Sequence, residues 1–296
     1  MTTFFDKAYK SVTKSVLSVE QDEGVGARVR RSIGTYHLRN LDPFLMLDQF
    51  TVTEPAGFPD HPHRGFETVT YMLEGTVEHE DFTGRKGRIN PGDLQWMTAG
   101  RGIVHAEMPL GKTPARGLQL WVNLPRAHKM MPPRYQELLD KDVPRATANG
   151  ILVKVIAGDC MGVNAKVLTQ SPIQYLDVKM EAGKTFEHTI PAGWTAFLYT
   201  LAGSIRVGDS SMPQRTHSTV VLSKEGNTLK VESGDESAHF VVIAGEPINE
   251  PIVQHGPFVM NEQREIYEAM LDYQAGRNGF ENAARWVSEI GKRRIR

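Results

Sequence analysis

His61-Pro62-His63 and His105-Ala106-Glu107 are the two stretches whose residue types and spacing point to chemistry. Side chains of a β-strand alternate between its faces, so the outer members of each triplet share one face. Two such pairs facing each other supply three imidazoles and a carboxylate, a ligand set for a metal ion. Gly57 and Gly65 flank the first triplet, and Gly100 and Gly102 precede the second. The spacing therefore predicts four ligands, His61, His63, His105 and Glu107, from two non-adjacent strands. Buried ionisable groups must be paired or bound to metal, which makes two same-face pairs costly to leave without an ion. Imidazole and carboxylate donors without thiolate disfavour structural zinc. They suit non-haem iron, with manganese, copper and nickel also compatible. Glu67, four residues beyond His63, is open to three readings: a fifth ligand, a group that orients a ligand, or a surface carboxylate.

The elements that must position these residues read as short strands. Thr68–Leu73 ends at Glu74-Gly75, Thr76–Glu80 follows, and Thr83-Gly84 and Asn90-Pro91-Gly92-Asp93 punctuate the return. A turn every eight to twelve residues is the pattern of a β-sandwich or barrel. Upstream, Val16, Val19, Val25, Val29 and Ile33 alternate with polar residues as edge strands around the turn at residues 23–26, and Phe44–Asp48 is a short buried strand. Residues 117–124 close this half, with Gln119, Trp121 and Asn123 on one face as candidate supports for the ligands. Residues 125–150 are Pro-containing and weakly patterned, which places a linker at 136–150 between a first domain, 1–135, and a second, 151–296. In the second, Trp194–Gly203 can be laid beside Phe66–Gly75, as an internal duplication would produce. Its ligands are missing, since only His188 and His239 stand where the first half has two pairs. Ile266, Met270, Leu271 and Tyr273, then Phe280, Trp286 and Val287, predict a pair of C-terminal helices.

Composition narrows the function classes. At 296 residues two domains are expected, and 27 Gly with 17 Pro favour turns over long helices. A net charge of −1 gives no overall attraction to nucleic acid or an anionic membrane. Cys160 is the single cysteine, so no internal disulfide can form. No apolar run is long enough for a signal-peptide core or a membrane span, and an intracellular protein is expected. Gly24-Val25-Gly26 lacks the third glycine of a dinucleotide fingerprint, because Val29 stands in its place. Arg28, Arg30 and Arg31 form either a solvated strand face or an anion or partner patch, and Lys292–Arg296 is a basic tail. His37, His79, His128, His217 and His255 read as hydrogen-bonded core or surface residues.

Residues 40–123 resemble the pirin family of the cupin superfamily, as do Gly24–Arg31, Gly245-Glu246-Pro247 and Gln254–Asn261. The resemblance implies an all-β bicupin of two β-sandwich barrels with short C-terminal helices. It implies one iron, Fe(II) or Fe(III), in the N-terminal barrel, held by His61, His63, His105 and Glu107, and no metal in the C-terminal barrel. The carboxylate ligand of general cupins would be Glu67, whereas the family pattern selects Glu107. Two activities are implied. One is quercetin 2,3-dioxygenase, which opens a flavonol ring with dioxygen and releases carbon monoxide, with Glu107 or Glu67 as proton acceptor. The other is a redox-sensing transcriptional co-regulator that binds nuclear factor kappa B-type factors, with Arg28, Arg30 and Arg31 as contact patch. Placement in nucleus and cytoplasm, a monomeric state and no direct contact with nucleic acid or membrane are the accompanying expectations. A metal-binding protein with a substrate unrelated to flavonols is a third reading.

Overall fold

The computed structural model describes residues 7–24 and 26–292, so Val25 and the tail residues Arg293–Arg296 lie outside the described residues. The chain forms two compact units that interleave in sequence. One comprises Val19–Asp142 with Ile248 onward, and the other comprises Val143–Pro247 with the segment up to Ser18. The contiguous division at 135 and 151 expected from the linker is thereby corrected. Residues 136–150 are structured, because hydrogen-bonded strands claim both ends of the Pro-containing stretch and Asp140 N–H donates to Asp93 Oδ1 at 2.6 Å.

The strands of the first half run in order as β1 (Val12–Leu17), β2 (Glu20–Glu23), β3 (Ala27–Ile33), β4 (Phe44–Val52), β5 (Phe58–His63) and β6 (Phe66–Glu74). They continue as β7 (Thr76–Asp81), β8 (Lys86–Ile89), β9 (Leu94–Thr98), β10 (Ile103–Leu110), β11 (Ala115–Asn123) and β12 (Arg134–Leu138). In the first unit a seven-stranded sheet, ordered β12-β9-β6-β11-β4-β3-β2, and a four-stranded sheet, β5-β10-β7-β8, make the sandwich. Edge-on packing of Phe50 on Phe58, with ring centroids 6.3 Å apart, joins the two layers. β4 and β6 lie inside the larger sheet, and their runs FLMLDQFTV and FETVTYMLE are apolar and β-branched as that position requires.

The second unit repeats this layout. Its larger sheet is ordered Val12–Leu17, Ser218–Leu222, Thr195–Ala202, Ala238–Gly245, Ile173–Met180, Ile151–Ala157, Arg145–Ala148, and its smaller sheet is again four-stranded. Thr195–Ala202 stands third from one edge as β6 does, in line with the duplication read from the sequence. Alternate residues such as Leu176, Val178, Leu198, Phe240 and Val242 fill its core. β1 completes this sheet as an edge strand against Ser218–Leu222.

One α-helix, α1 (Gln263–Ala275), is present among the described residues, where a helical pair was expected. Glu265 caps its start by accepting the Glu262 N–H at 2.8 Å, and Gly276 ends it at φ 63. The chain then passes so close to β10 that a Cβ on Gly279 would lie 2.6 Å from Arg101 O. Beyond it, turns replace the second helix, because the segment is pinned to strands at single points. Ser288 N–H donates to Asp60 Oδ2 at 3.1 Å and Glu289 N–H to Glu80 Oε2 at 2.6 Å.

α1 is fastened to the segment after β5 by a buried charge pair. Arg64, 2% exposed, donates to Asp272 Oδ2 at 3.0 Å and to the carbonyls of Arg101 and Asn278 at 2.6 and 2.8 Å. Its guanidinium lies 4.8 Å from the Phe280 ring centroid. Removing one partner of such a pair leaves a buried charge, so Asp272→Ala should cost about 3 kcal/mol in denaturant-monitored unfolding. The apolar double variant Arg64→Met Asp272→Leu should recover part of that loss.

Candidate metal centre

β5 and β10 are hydrogen-bonded neighbours, so the four proposed ligands come from adjacent rather than non-adjacent strands. His105 pairs directly with His61, while Glu107 pairs with Phe58. Two residues on β10 thus span three on β5, a bulge that contains Pro59, which has no N–H to lose from the ladder. The bulge also sets a tautomer. His61 Nδ1 donates to Pro59 O at 2.8 Å, which leaves Nε2 with its lone pair free.

The ligand atoms of His61, His63 and His105 all lie within 4.8 Å of one another. Ring centroids are 4.7 Å apart for His61 and His63, 4.4 Å for His61 and His105, and 5.0 Å for His63 and His105. His63 and His105 are 3% and 1% exposed. Burial holds both imidazoles well below the usual histidine range, and the neighbouring His61 adds to the effect. Both are neutral at pH 7, as metal ligands must be. Neither ring nitrogen of His105, nor Nδ1 of His63, has a hydrogen-bond partner among the described residues. Leaving buried polar atoms unsatisfied costs on the order of 1–3 kcal/mol each, and a bound cation removes that cost. The residues present therefore fit a metal ion.

Glu107, the fourth proposed ligand, lines the same cavity, while the compact cluster of ligand atoms is made by the three histidines without it. Thr70 on β6 donates to Glu107 Oε1 across the sandwich at 3.1 Å, and Thr70 Oγ1 lies 2.7 Å from the Gln119 amide oxygen, Oε1. A hydroxyl has one proton, so the chain is satisfied when the Gln119 amide turns its N–H toward Thr70. Trp121 and Phe66 pack edge-on against His63, with centroids 5.4 and 5.1 Å away. Gln119 and Trp121 thus support the site as their strand alternation predicted. Asn123 acts one step removed. Its Oδ1 accepts from the buried Lys129 ammonium at 2.8 Å, and the same Nζ donates to Gly65 O at 2.9 Å and Val259 O at 3.0 Å. Gly65 is required there, since a Cβ would fall 1.9 Å from Val259 O.

Glu67 does not join the site. Phe66 and Thr70 reach the cavity side of β6, so alternation turns Glu67 to the opposite face, where it accepts the Thr98 hydroxyl at 2.6 Å. Burial raises its carboxyl pKa, against the lowering effect of Thr98. Thr70 and Phe66 themselves carried no sequence signal beyond their shared strand face. Nor did Arg64 and Lys129, whose burial comes from the C-terminal segment folding back.

His61 and His63 line a cavity of about 1030 Å³ whose walls include Val29, Leu45, Phe50, Phe58 and Trp121. The arginines expected as a partner patch are engaged by carboxylates. Arg28 donates to Asp22 at 2.7 Å and Glu20 at 2.9 Å, Arg30 lies 3.9 Å from Glu20, and Arg31 is held by Asp48 and Glu23. Among the histidines read as ordinary, His79 lies 3.0 Å from Glu137 and His217 Nδ1 lies 3.3 Å from the Tyr199 hydroxyl. No described helix is long and apolar enough to cross a membrane.

In the second unit the corresponding groups do not converge, and no further cluster of three metal-ligating side chains occurs among the described residues. His239 Nε2 is bonded to Asp177. His188 is 8% exposed, stacked on Phe186, and pushed down by burial to about 4. Its unfolded counterpart protonates at the ordinary histidine pKa, so the group is without effect on stability above that value and opposes folding as pH falls toward 4. The window corresponds to about 3 kcal/mol. His188→Leu should flatten the decline in unfolding free energy between pH 6.5 and 4 relative to the parent chain. For the first unit, elemental analysis of the purified chain should find a metal ion, and His105→Gln should lower metal affinity by at least about tenfold.

Comparison with known proteins agrees with this geometry. The family model described as Pirin matches residues 26–122, and that described as Pirin C-terminal cupin domain matches residues 175–279. The chain is 56% identical over 286 residues to Pirin of Mus musculus, covering 95% of this chain and 98% of the relative. It is 52% identical over 291 residues to the Pirin-like protein of Solanum lycopersicum, covering 98% and 99%. Among solved structures, a quercetin 2,3-dioxygenase from Acinetobacter baumannii superposes with a TM-score of 0.84 at 35% identity, over 91% of this chain and 98% of that one. With two cupin-type barrels, a histidine triad in the first, and relatives that match from end to end, the chain belongs to the pirin family.

Proposed function

We propose that this chain is an iron-dependent dioxygenase that opens the heterocycle of a flavonol such as quercetin. The observation that carries the reading is the triad of His61, His63 and His105, with partnerless buried nitrogens, at a cavity walled by aromatic and aliphatic side chains. A structure 35% identical to this chain bears the name of that activity. Iron held by His61, His63, His105 and, as the family resemblance implies, Glu107 would supply a Lewis acid that lowers the pKa of the flavonol 3-hydroxyl.

The chain's own residues account for the rest. Glu107 takes the hydroxyl proton, and Thr70 steadies its carboxylate by donating to Oε1. Phe66 and Trp121 hold the His63 ring, and Trp121 presents apolar surface to a flat substrate. The cavity has room for the substrate's rings against Val29, Leu45, Phe50 and Phe58. Flavonol and dioxygen combine, the carbon bearing the 3-hydroxyl departs as carbon monoxide, and a phenolic ester remains.

Iron-loaded protein should consume oxygen when quercetin is added and release carbon monoxide in equal amount. Oxygen uptake no faster than that of His61→Ala His63→Ala, in protein whose iron content has been measured, would rule the activity out. Glu107→Gln should lower kcat by about a hundredfold or more while quercetin still binds, as loss of a general base requires.

A further inference from the structure

A charge constellation with Asp48 buried and Arg31 and Glu23 partly exposed lies on the cavity of the first unit. Arg31 on β3 donates from Nε to Asp48 Oδ1 at 3.0 Å and from Nη2 to Asp48 Oδ2 at 2.8 Å, and Nη2 also reaches Glu23 Oε2 at 2.9 Å. Asp48 is 4% exposed. Buried ion pairs stabilise folds weakly, because desolvation offsets most of the Coulomb attraction. Partly exposed pairs add little as well, so stability gives no reason to set one beside Val29, Leu45, Met46 and Phe50.

Position gives the reason. Arg31 pairs with Asp48, Asp48 with Gln119, and Gln119 with Thr70, in direct register across β3, β4, β11 and β6. They form one polar row, and Thr70 ends it at Glu107 beside the histidines. Three interstrand spacings put Arg31 roughly 14 Å from Thr70. Arg31 Nη1 donates to no protein group among the described residues, and the two carboxylates keep lone pairs beyond those given to Arg31. Arg31 and Arg39 share the cavity lining with the carboxylates of Glu23, Asp48, Asp60 and Glu107, so positive charge is not in excess there. Such a place offers donors and acceptors together but no net attraction for an anion.

The geometry points to Arg31, clamped by Asp48 and Glu23, as the subsite that reads the end of the substrate remote from the histidines. It selects an elongated aromatic with adjacent neutral hydroxyls there, one accepting from Arg31 Nη1 and one donating to a clamping carboxylate. This assignment rests on the flavonol reading for the near end of the molecule, yet the two stand or fall on different measurements.

The test is calorimetric titration of the full-length iron-loaded chain without oxygen, so that nothing turns over. Three ligands share the flavonol core: quercetin, with two adjacent hydroxyls on its outer ring, the flavonol without them, and one with a carboxylate in their place. Quercetin should bind about tenfold more tightly than the unhydroxylated flavonol, and the carboxylate no more tightly than the latter. Arg31→Lys keeps a charge beside Asp48 but removes Nη1. It should bring quercetin to the level of the unhydroxylated flavonol and leave that ligand within about twofold. Equal binding of the two by the parent chain, tightest binding of the carboxylate, or a preference that survives Arg31→Lys would each overturn the assignment. The ligand comparison on the parent chain decides it even if the variant does not fold. A hydroxyl preference without oxygen uptake overturns the dioxygenase activity and leaves the subsite standing, and uptake without the preference does the reverse.

Discussion

Three imidazoles packed together, with His63 and His105 buried and three of their ring nitrogens satisfied by no protein group among the described residues, are the constraint to which the first unit is fitted. Such an arrangement is unfavourable without a ligand, and everything around it works against its relaxation. The bulge at Pro59 fixes the His61 tautomer, the Phe66 and Trp121 rings hold His63, and Lys129 ties Gly65 O to Val259 O. Each of these is a packing or hydrogen-bonding device acting on a neighbour of a ligand. The cluster is thus preorganised by residues that never touch the ion.

The second unit shows what the same scaffold does when that constraint is absent. Its sheets repeat the seven and four strands of the first, with Thr195–Ala202 in the place of β6. His188 is stacked on Phe186, and His239 is turned to Asp177. Its core is filled by aliphatic and aromatic side chains from alternate strand positions. The histidine triad of the first unit is a local elaboration on β5 and β10 of a sheet layout that both units share.

The strands, the duplication and the histidine triad were legible because each depends on a period of two or on a residue type that is rare in cores. Adjacency was harder to read. Alternation places His61 with His63 and His105 with Glu107, but says nothing of which strands pair, and β5 and β10 are neighbours in one sheet rather than opposed. Glu67 illustrates the same limit from the other side. Proximity in sequence to His63 made it a candidate, while the turn at Gly65 shifts the phase of alternation and sends it to the far face. The interleaved units escaped notice because an edge strand such as β1, with mostly exposed residues, pairs through its backbone, which leaves almost no trace in side-chain pattern. The expected second C-terminal helix failed for a related reason, since apolar residues spaced through Trp286 and Ile290 pack singly on strands without a helix to present them.

The interleaving has a consequence for how the protein is made. Pro257, Gln254 and Ile252 belong to the cavity lining, and Asp272 is the partner of Arg64 next to the first histidine pair. During synthesis these residues emerge only after Val143–Pro247 of the second unit. The barrel that holds the histidines therefore cannot close until the other unit has been made, and its histidines stay open to solvent in the meantime.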